Sequence, residues 1–383
     1  MTEPATLAEF NELLRQIDAT NYGRAERALI DQAVALAQTA GDEELEYLAR
    51  MRLTSSAAVT GDSDTQLSSF AWCIARYDAD PGKFPFHPPG TAADIMFQYK
   101  WMVATLDRTA KFPLERAETM LNDMEDHYRR AGLGPSGVLT ARFIHAWRTG
   151  QTSQAADLES QVVATPRDSH SHCDACIMSD RAAFACETGR PEFAIQLVEE
   201  IIERNLTCGE EPEYALSRTI LAYLRAGQLK QAAKAHLRSY QLSQYKPDLL
   251  EVIADHVTFC AISGNETRSC VLLRYHLAWL SHDSLNDWAR FRMLQAVWLA
   301  LTALDRFGWG SEPIMPASNS QLAHYFGSAA PDYTVRELID PAWTAAETLA
   351  QAFDARNGNS YASGLLNATA DLRNERYTVP LTG

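Results

Sequence analysis

Three cysteines are the strongest candidates for chemistry in this sequence. Cys173 and Cys176 close the segment Ser169-His-Ser-His-Cys-Asp-Ala-Cys176, three positions apart at the predicted start of one helix, so both thiols share a face. That helix is expected over about 173–188 and its partner over 191–206, and at a rise of about 1.5 Å per residue the chain returns level with its start. We therefore expect Cys208 to lie beside the pair.

Three convergent thiolates suit a tetrahedral zinc ion. His236, on the second helix of the following repeat, is the predicted fourth ligand, with His172 and His170 as nearer alternatives. Such a closed coordination sphere would be structural and would join hairpins. Two other interpretations stay open: reduced thiols without a metal, and a redox or regulatory pair at Cys173 and Cys176, where a helix amino terminus favours the thiolate.

The elements that position these residues are helices paired across recurring turns. The helix-breaking positions are Gly23, Gly61, Phe112, Gly150, Gly189, Gly227 and Gly264, with steps of 38, 51, 38, 39, 38 and 37 residues. Four of the glycines have an alanine five positions later: Gly23/Ala28, Gly150/Ala155, Gly189/Ala194 and Gly227/Ala232. A glycine ends one helix, and a small residue lets the next helix pack closely against it. The pattern predicts an all-α fold of antiparallel hairpins.

This pattern resembles the tetratricopeptide repeat (TPR) family, whose unit of about 34 residues is helix, turn and helix. The resemblance covers about residues 8–282, with units about four residues longer than the consensus. The Cys-x-x-Cys, Cys and His order is similar to that of a bacterial branch of repeat proteins, which implies a divergent bacterial-type member. The resemblance implies a right-handed superhelix, a TPR-like α-solenoid, that binds a protein or peptide in its concave groove.

Arginines precede the turn in several units, at Arg108, Arg148, Arg225 and Arg306. If the first helix of each unit lines the groove, as in the TPR family, these side chains could hold acidic groups of a partner peptide. The alternative is that each cation only interacts favourably with the dipole at the carboxy end of its helix, which stabilises the helix by about 0.3–1 kcal/mol. The spacing of Tyr214 and Ser217 along their helix is the one expected for residues that face the groove, although residues on the same helix face could also pack into the core. The predicted binding residues are Arg148, Arg225, Tyr214 and Ser217.

The repeat array is expected over residues 1–307, followed over 308–383 by an irregular linker and a carboxy-terminal helical cap. Within the cap, residues 337–357 and 361–374 are predicted helices, and 308–320 is predicted to be irregular. A proline-rich loop over 78–91 interrupts the array. Its Phe84 and Phe86 are expected either to pack against neighbouring units or to contact a partner in the groove.

Composition and motifs exclude several classes of function. A net charge of −15 argues against broad nucleic-acid binding. No segment approaches the roughly 18 apolar residues that a membrane span needs, and the first residues lack a signal-peptide pattern, so we expect a cytoplasmic protein. The G-x-G-x-x-G match at Gly132–Gly137 follows a helix and not a strand, which makes it an inter-repeat turn.

We therefore expect a non-catalytic protein- or peptide-binding scaffold or regulator, with a structural zinc ion as one interpretation of its three cysteines. The sequence shows no catalytic residue at a recognisable spacing. Two alternatives stay open. One is an enzyme or small-molecule sensor that uses the cleft between the array and the carboxy-terminal helices, and the other is a thiol redox switch.

Overall fold

The structure is a computed structural model that describes residues 4–21, 23–86, 94–316, 322–327 and 332–381. Its amino-terminal half consists of consecutive helices. These helices are α1 (Pro4–Asp18), α2 (Arg24–Ala40), α3 (Glu43–Thr60), α4 (Ser63–Ala79), α5 (Ile95–Arg108), α6 (Leu114–Arg130), α7 (Ser136–Arg148) and α8 (Thr152–Ala164). Consecutive helices α1 to α4 pack on one another, and the Tyr128 hydroxyl on α6 donates to the Met96 carbonyl on α5 at 2.9 Å.

The second half continues the same pattern and contains the two longest helices that the structure describes. Its helices are α9 (Asp174–Glu187), α10 (Pro191–Glu203), α11 (Glu213–Arg218), α12 (Ile220–Arg225), α13 (Leu229–Ser243), α14 (Leu250–Ile262), α15 (Glu266–His276), α16 (Asp287–Arg306), α17 (Ala323–Phe326), α18 (Val335–Asn357) and α19 (Tyr361–Asp371). Two short strands, β1 (Pro313–Pro316) and β2 (Asp332–Thr334), pair antiparallel. The predicted all-α class is confirmed, while the right-handed superhelix stays a prediction.

The predicted turns separate the two helices of each hairpin. At Gly150 and Gly189 the backbone adopts φ values of 80° and 74°, in the left-handed region where a side chain costs about 1–2 kcal/mol. The alanines that follow Gly150, Gly189 and Gly227 are all fully buried, as the close packing of the second helix requires. The first hairpin differs, because Ala28 is exposed and α2 buries Glu26 and Ile30 instead. The predicted role of Ala28 is therefore wrong.

The chain forms two compact units that interleave along the sequence. Unit 1 comprises the described residues of 1–107, 114–145 and 160–171, and unit 2 those of 108–113, 146–159 and 172–383. In unit 1 the first three helices bury a cluster around Phe10, Ile30 and Leu53. In unit 2 a larger core surrounds α14, α16 and α18.

The carboxy-terminal segment forms the two predicted helices. α18 and α19 match the expected ranges closely, and a 3-10 turn at Leu372–Asn374 completes the second. α18 packs along α16, with Trp298 and Trp343 at 4.8 Å between ring centroids. Strand β1 occupies 313–316 of the segment that was expected to be irregular, and 317–320 lie outside the described residues.

The proline-rich loop is described only as far as residue 86, and 87–91 lie outside the described residues. Phe84 is buried with its ring centroid 5.3 Å from that of Tyr47. Phe86 is half-buried and lies 6.1 Å from Tyr77. This part of the loop therefore packs as a connector. Gly132 and Gly134 lie in the turn between α6 and α7, as predicted, and Gly137 lies in the first turn of α7.

Candidate functional site

The three predicted cysteines meet in unit 2. The Sγ atoms of Cys173 and Cys176 are 3.0 Å apart, those of Cys176 and Cys208 are 3.3 Å apart, and all three lie within 4.8 Å of one another. Cys173 caps the amino terminus of α9, where its sulfur accepts a hydrogen bond from the Cys176 N–H at 3.3 Å. The expected convergence of three sulfur atoms is confirmed. We call this group the cysteine centre.

The loop between α10 and α11 brings Cys208 to this position. Its backbone N–H donates to the Glu211 carbonyl at 3.3 Å, and its sulfur accepts from the Glu210 N–H at 3.5 Å. Cys173 and Cys176 are half-buried and Cys208 is exposed. The cysteine centre therefore joins the first turn of α9 to the loop that leads into α11.

The three thiols perturb one another. Hydrogen bonds from Cys176 and Cys208, opposed by burial, lower the pKa of the Cys173 thiol to about 3. Hydrogen bonding to Cys173 and burial raise the pKa values of Cys176 and Cys208. A thiolate is the form that a metal ion binds, so one ligand of the required charge is favoured by the arrangement itself.

The structure does not bring the predicted histidines to the sulfur atoms. His236 is fully buried on α13, with its Nδ1 3.1 Å from Nδ1 of His256 and its ring centroid 4.6 Å from that of Phe259. His170 is fully buried in unit 1, with its Nε2 2.9 Å from an Asp94 oxygen. His172 precedes Cys173 directly and is half-buried. Within the described ranges, the group of candidate metal ligands consists of the three cysteines alone.

The predicted groove residue Arg148 lies inside unit 2. Its side chain is only 7% exposed, and its Nη1 is 3.7 Å from Oε2 of Glu251. Its guanidinium lies 4.4 Å from the Trp147 ring centroid and 5.5 Å from that of Trp288. Burial lowers the pKa of Arg148. Its Nε finds no hydrogen-bond acceptor among the residues that the structure describes.

Tyr214 and Ser217 are also buried, on α11. The Ser217 hydroxyl donates to Oδ2 of Asp255 at 2.8 Å. The neighbouring Arg218 lies 4.3 Å from the Tyr214 ring and forms an ion pair with Asp180 at 3.0 Å. Ser217 therefore contacts a charged group of α14, and Tyr214 contacts an arginine of its own helix.

Together these contacts define a charged row on the first helices of successive hairpins. Its members are Arg148 on α7, Asp180 on α9, Arg218 on α11, Glu251 and Asp255 on α14, and Arg292 on α16. Arg292 lies 3.6 Å from Asp255 and its side chain is 30% exposed, so the row is most accessible at this end.

Sequence reasoning missed every member of the charged row except Arg148. The available signal was α14, where Glu251 and Asp255 lie one turn apart in a mostly apolar helix. Charged side chains are rarely buried without a partner or a role. Arg225, by contrast, is exposed and binds Glu375 in the carboxy-terminal segment at 2.7 Å.

Among the helices that the structure describes, none combines the length and apolar character needed to cross a bilayer. No protein-family model and no curated protein sequence matches the chain. A solved structure to which the chain is similar is the crystal structure of the P58(IPK) TPR domain, at 14% sequence identity and a TM-score of 0.25, with 96% of this chain and 97% of that chain covered.

Proposed function

We propose that this chain is a non-catalytic scaffold that binds a protein or peptide partner through the charged row, with a zinc ion at the cysteine centre. The observation that carries the proposal is the position of the cysteine centre. It joins the start of α9, which bears Asp180, to the loop before α11, which bears Tyr214, Ser217 and Arg218. A zinc ion there would fix the spacing of the two helices that form the middle of the row.

The donor set fits zinc. Tetrahedral coordination with Zn–S distances of about 2.3 Å separates sulfur atoms by about 3.8 Å, so separations of 3.0 and 3.3 Å need only a small outward rotation of the thiols. The fourth position would be taken by water, which can reach the exposed side of Cys208, because the candidate ligands in the described ranges are the three cysteines. The role of the ion is structural: it holds the start of α9 and the loop before α11 together.

Elemental analysis of purified, reduced protein tests the zinc ion. The wild type is expected to contain one zinc ion per chain, and Cys208→Ser is expected to lose it because two thiolates remain. Cys186→Ser is the matched control, since Cys186 is half-buried on α9 but its sulfur contacts the Arg218 carbonyl at 3.7 Å. A metal-free wild type would rule out the zinc ion.

The charged row supports partner binding because two of its three ion pairs are close but not hydrogen-bonded, whereas Arg218 donates to Asp180 at 3.0 Å. The separations of 3.7 Å for Arg148 and Glu251 and 3.6 Å for Arg292 and Asp255 exceed hydrogen-bond distances. Buried charges without full hydrogen bonding are costly and are found most often at functional sites. Polar groups of a partner would supply the missing hydrogen bonds, starting from the exposed end at Arg292.

A capture experiment tests the partner site. Cross-linking and affinity capture with wild-type protein should retain a partner that Arg292→Glu loses, while circular dichroism shows unchanged helix content. The matched control is Arg129→Glu, an exposed arginine on α6 that pairs within its own helix with Asp126. If Arg292→Glu retains the same set of proteins as wild type, the charged row is not the binding surface.

A further inference from the structure

A pocket of about 510 Å³ lies in unit 2, apart from the cysteine centre and the charged row. It is enclosed by the end of α14, the second half of α16 and the segment that follows α19. Its volume falls within the range of about 300–1,000 Å³ that is typical of small-molecule sites.

The charge of this pocket is unusual for an acidic protein. Three arginines line it, Arg306, Arg373 and Arg376, against one carboxylate, Glu375, among the described lining residues. Glu375 is already bound by Arg225 at 2.7 Å and by the Tyr377 hydroxyl at 2.8 Å. The lining therefore carries a net positive charge in a chain whose total charge is −15.

Two of these guanidinium groups are available to a ligand. The Arg306 guanidinium contacts the Arg373 backbone carbonyl at 3.4 Å, which leaves most of its donors unused. Arg373 is exposed, and no carboxylate lies within ion-pair distance of it among the described residues. Arg376, in contrast, pairs with Glu266 and stacks 4.2 Å from the Phe307 ring.

The floor of the pocket is apolar, and the carboxy-terminal segment forms one wall. Leu299 and Ile262 are almost fully buried, and Oγ1 of Thr302 is buried without a hydrogen-bond partner in the described part of the chain. The segment is held in place because the Tyr377 N–H donates to the Ile262 carbonyl at 2.8 Å and the Val379 N–H donates to the Ser263 carbonyl at 3.1 Å.

We propose that this pocket binds a small organic anion, with a phosphate-type dianion held by Arg306 and Arg373 and an apolar or aromatic body on the floor beside Leu299 and Phe307. Guanidinium groups match the oxygens of a phosphate through paired hydrogen bonds, and such charge-assisted bonds are the strong ones. The apolar floor requires a body that inorganic phosphate lacks. This site is independent of partner binding at the charged row.

Isothermal titration of the full chain with phenyl phosphate tests the proposal. One molecule is expected to bind per chain, and Arg306→Ala and Arg373→Ala are each expected to weaken binding by about tenfold or more, the loss of a charge-assisted hydrogen bond. Inorganic phosphate should bind more weakly, and benzyl alcohol, which has the body without the charge, should not bind. Both arginines are exposed, so thermal melting should show that the variants stay folded.

Arg129→Ala serves as the matched control, because it removes one exposed positive charge from α6, far along the chain from the pocket. Phenyl phosphate should bind this variant as tightly as wild type. The proposal is overturned if wild type shows no saturable heat at millimolar concentrations. It is equally overturned if Arg373→Ala binds as tightly as wild type, or if Arg129→Ala weakens binding to the same degree as Arg373→Ala.

Discussion

At the residue scale, three histidines in unit 2 are buried and contact one another or neighbouring hydroxyls, while Nε2 of His236 and Nδ1 of His276 have no hydrogen-bond partner in the described part of the chain. His236 meets His256 at 3.1 Å between Nδ1 atoms, and Nε2 of His256 lies 3.0 Å from the Ser239 hydroxyl. The Tyr240 hydroxyl lies 3.0 Å from Nε2 of His276. Burial, assisted by the charge of the nearby Arg268, lowers the pKa of His236 to about 3 and of His276 to about 4.

This histidine cluster predicts a specific loss of stability in acid. An unfolded histidine titrates near pH 6.5, so the unfolded chain binds more protons than the folded chain between about pH 4 and 6.5. The contribution of His276 is therefore complete above about pH 6.5 and is lost as the pH falls. From the shift in its pKa, His276 alone should lower the free energy of unfolding by about 2 kcal/mol at pH 5.

Urea unfolding of wild type and His276→Gln at neutral pH and at about pH 5 measures this effect. Glutamine is uncharged and can still reach the Tyr240 hydroxyl. Between neutral pH and about pH 5, the free energy of unfolding of His276→Gln should fall by about 2 kcal/mol less than that of wild type. Equal losses in the two proteins would show that His276 does not control the acid response.

At the element scale, the turns that end the first helices were predictable, but their surroundings were not. Gly150 and Gly189 occupy equivalent turns with similar φ values. A Cβ at Gly150 would lie 2.5 Å from Cβ of Tyr361, whereas a Cβ at Gly189 would meet nothing within 4 Å. Tyr361 is itself fixed, because it stacks on Trp288 and its hydroxyl donates to Glu187 at 2.6 Å.

The two glycines therefore form a matched pair for mutation. Gly189→Ala should lower the free energy of unfolding by about 1–2 kcal/mol through backbone strain alone. Gly150→Ala should lower the free energy of unfolding clearly more, because it adds a clash with Tyr361 that the packed start of α19 cannot relieve. The free energies of unfolding in urea measure the difference. Similar values for both variants would mean that α19 does not pack tightly on this turn.

Element types and approximate bounds followed from short-range patterns. The recurring glycines predicted the hairpins, and the helices of the carboxy-terminal segment lie within a few residues of their expected ranges. Ala28 was misassigned because the same Gly-to-Ala spacing occurs where α2 turns a different face inward. Strand β1 was missed because its pairing with β2 depends on residues about twenty positions away.

At the scale of the whole molecule, the two units do not follow one another as simple segments of chain. Residues 146–159 belong to unit 2 although the unit 1 segment 160–171 follows them. Trp147 Nε1 donates to Glu187 at 2.8 Å, and Glu159 accepts from Arg181 at 3.2 Å and from Arg190 at 3.0 Å. The core of unit 2 also includes residues on both sides of position 307, where the array was expected to end. That boundary stays a prediction.

This arrangement predicts that unit 2 depends on residues 146–159. A fragment that begins at residue 172 lacks Trp147 and Glu159, so Glu187 loses its hydrogen bond from Trp147, Arg181 and Arg190 lose the Glu159 carboxylate, and apolar surface is exposed. It should melt at a lower temperature than a fragment that begins at residue 146. Thermal unfolding followed by circular dichroism measures both. Equal melting temperatures would show that the segment contributes nothing to unit 2.

The sequence by itself determined the helical class, the hairpin turns and the meeting of Cys173, Cys176 and Cys208. These features follow from helix periodicity and from the return of one hairpin over about thirty residues. Only the tertiary structure decided that His236 lies against His256 and away from the sulfur atoms, and that Arg148 is buried beside Glu251. The physical reason is that these contacts join separate hairpins, and no local pattern specifies which faces of distant helices pack together.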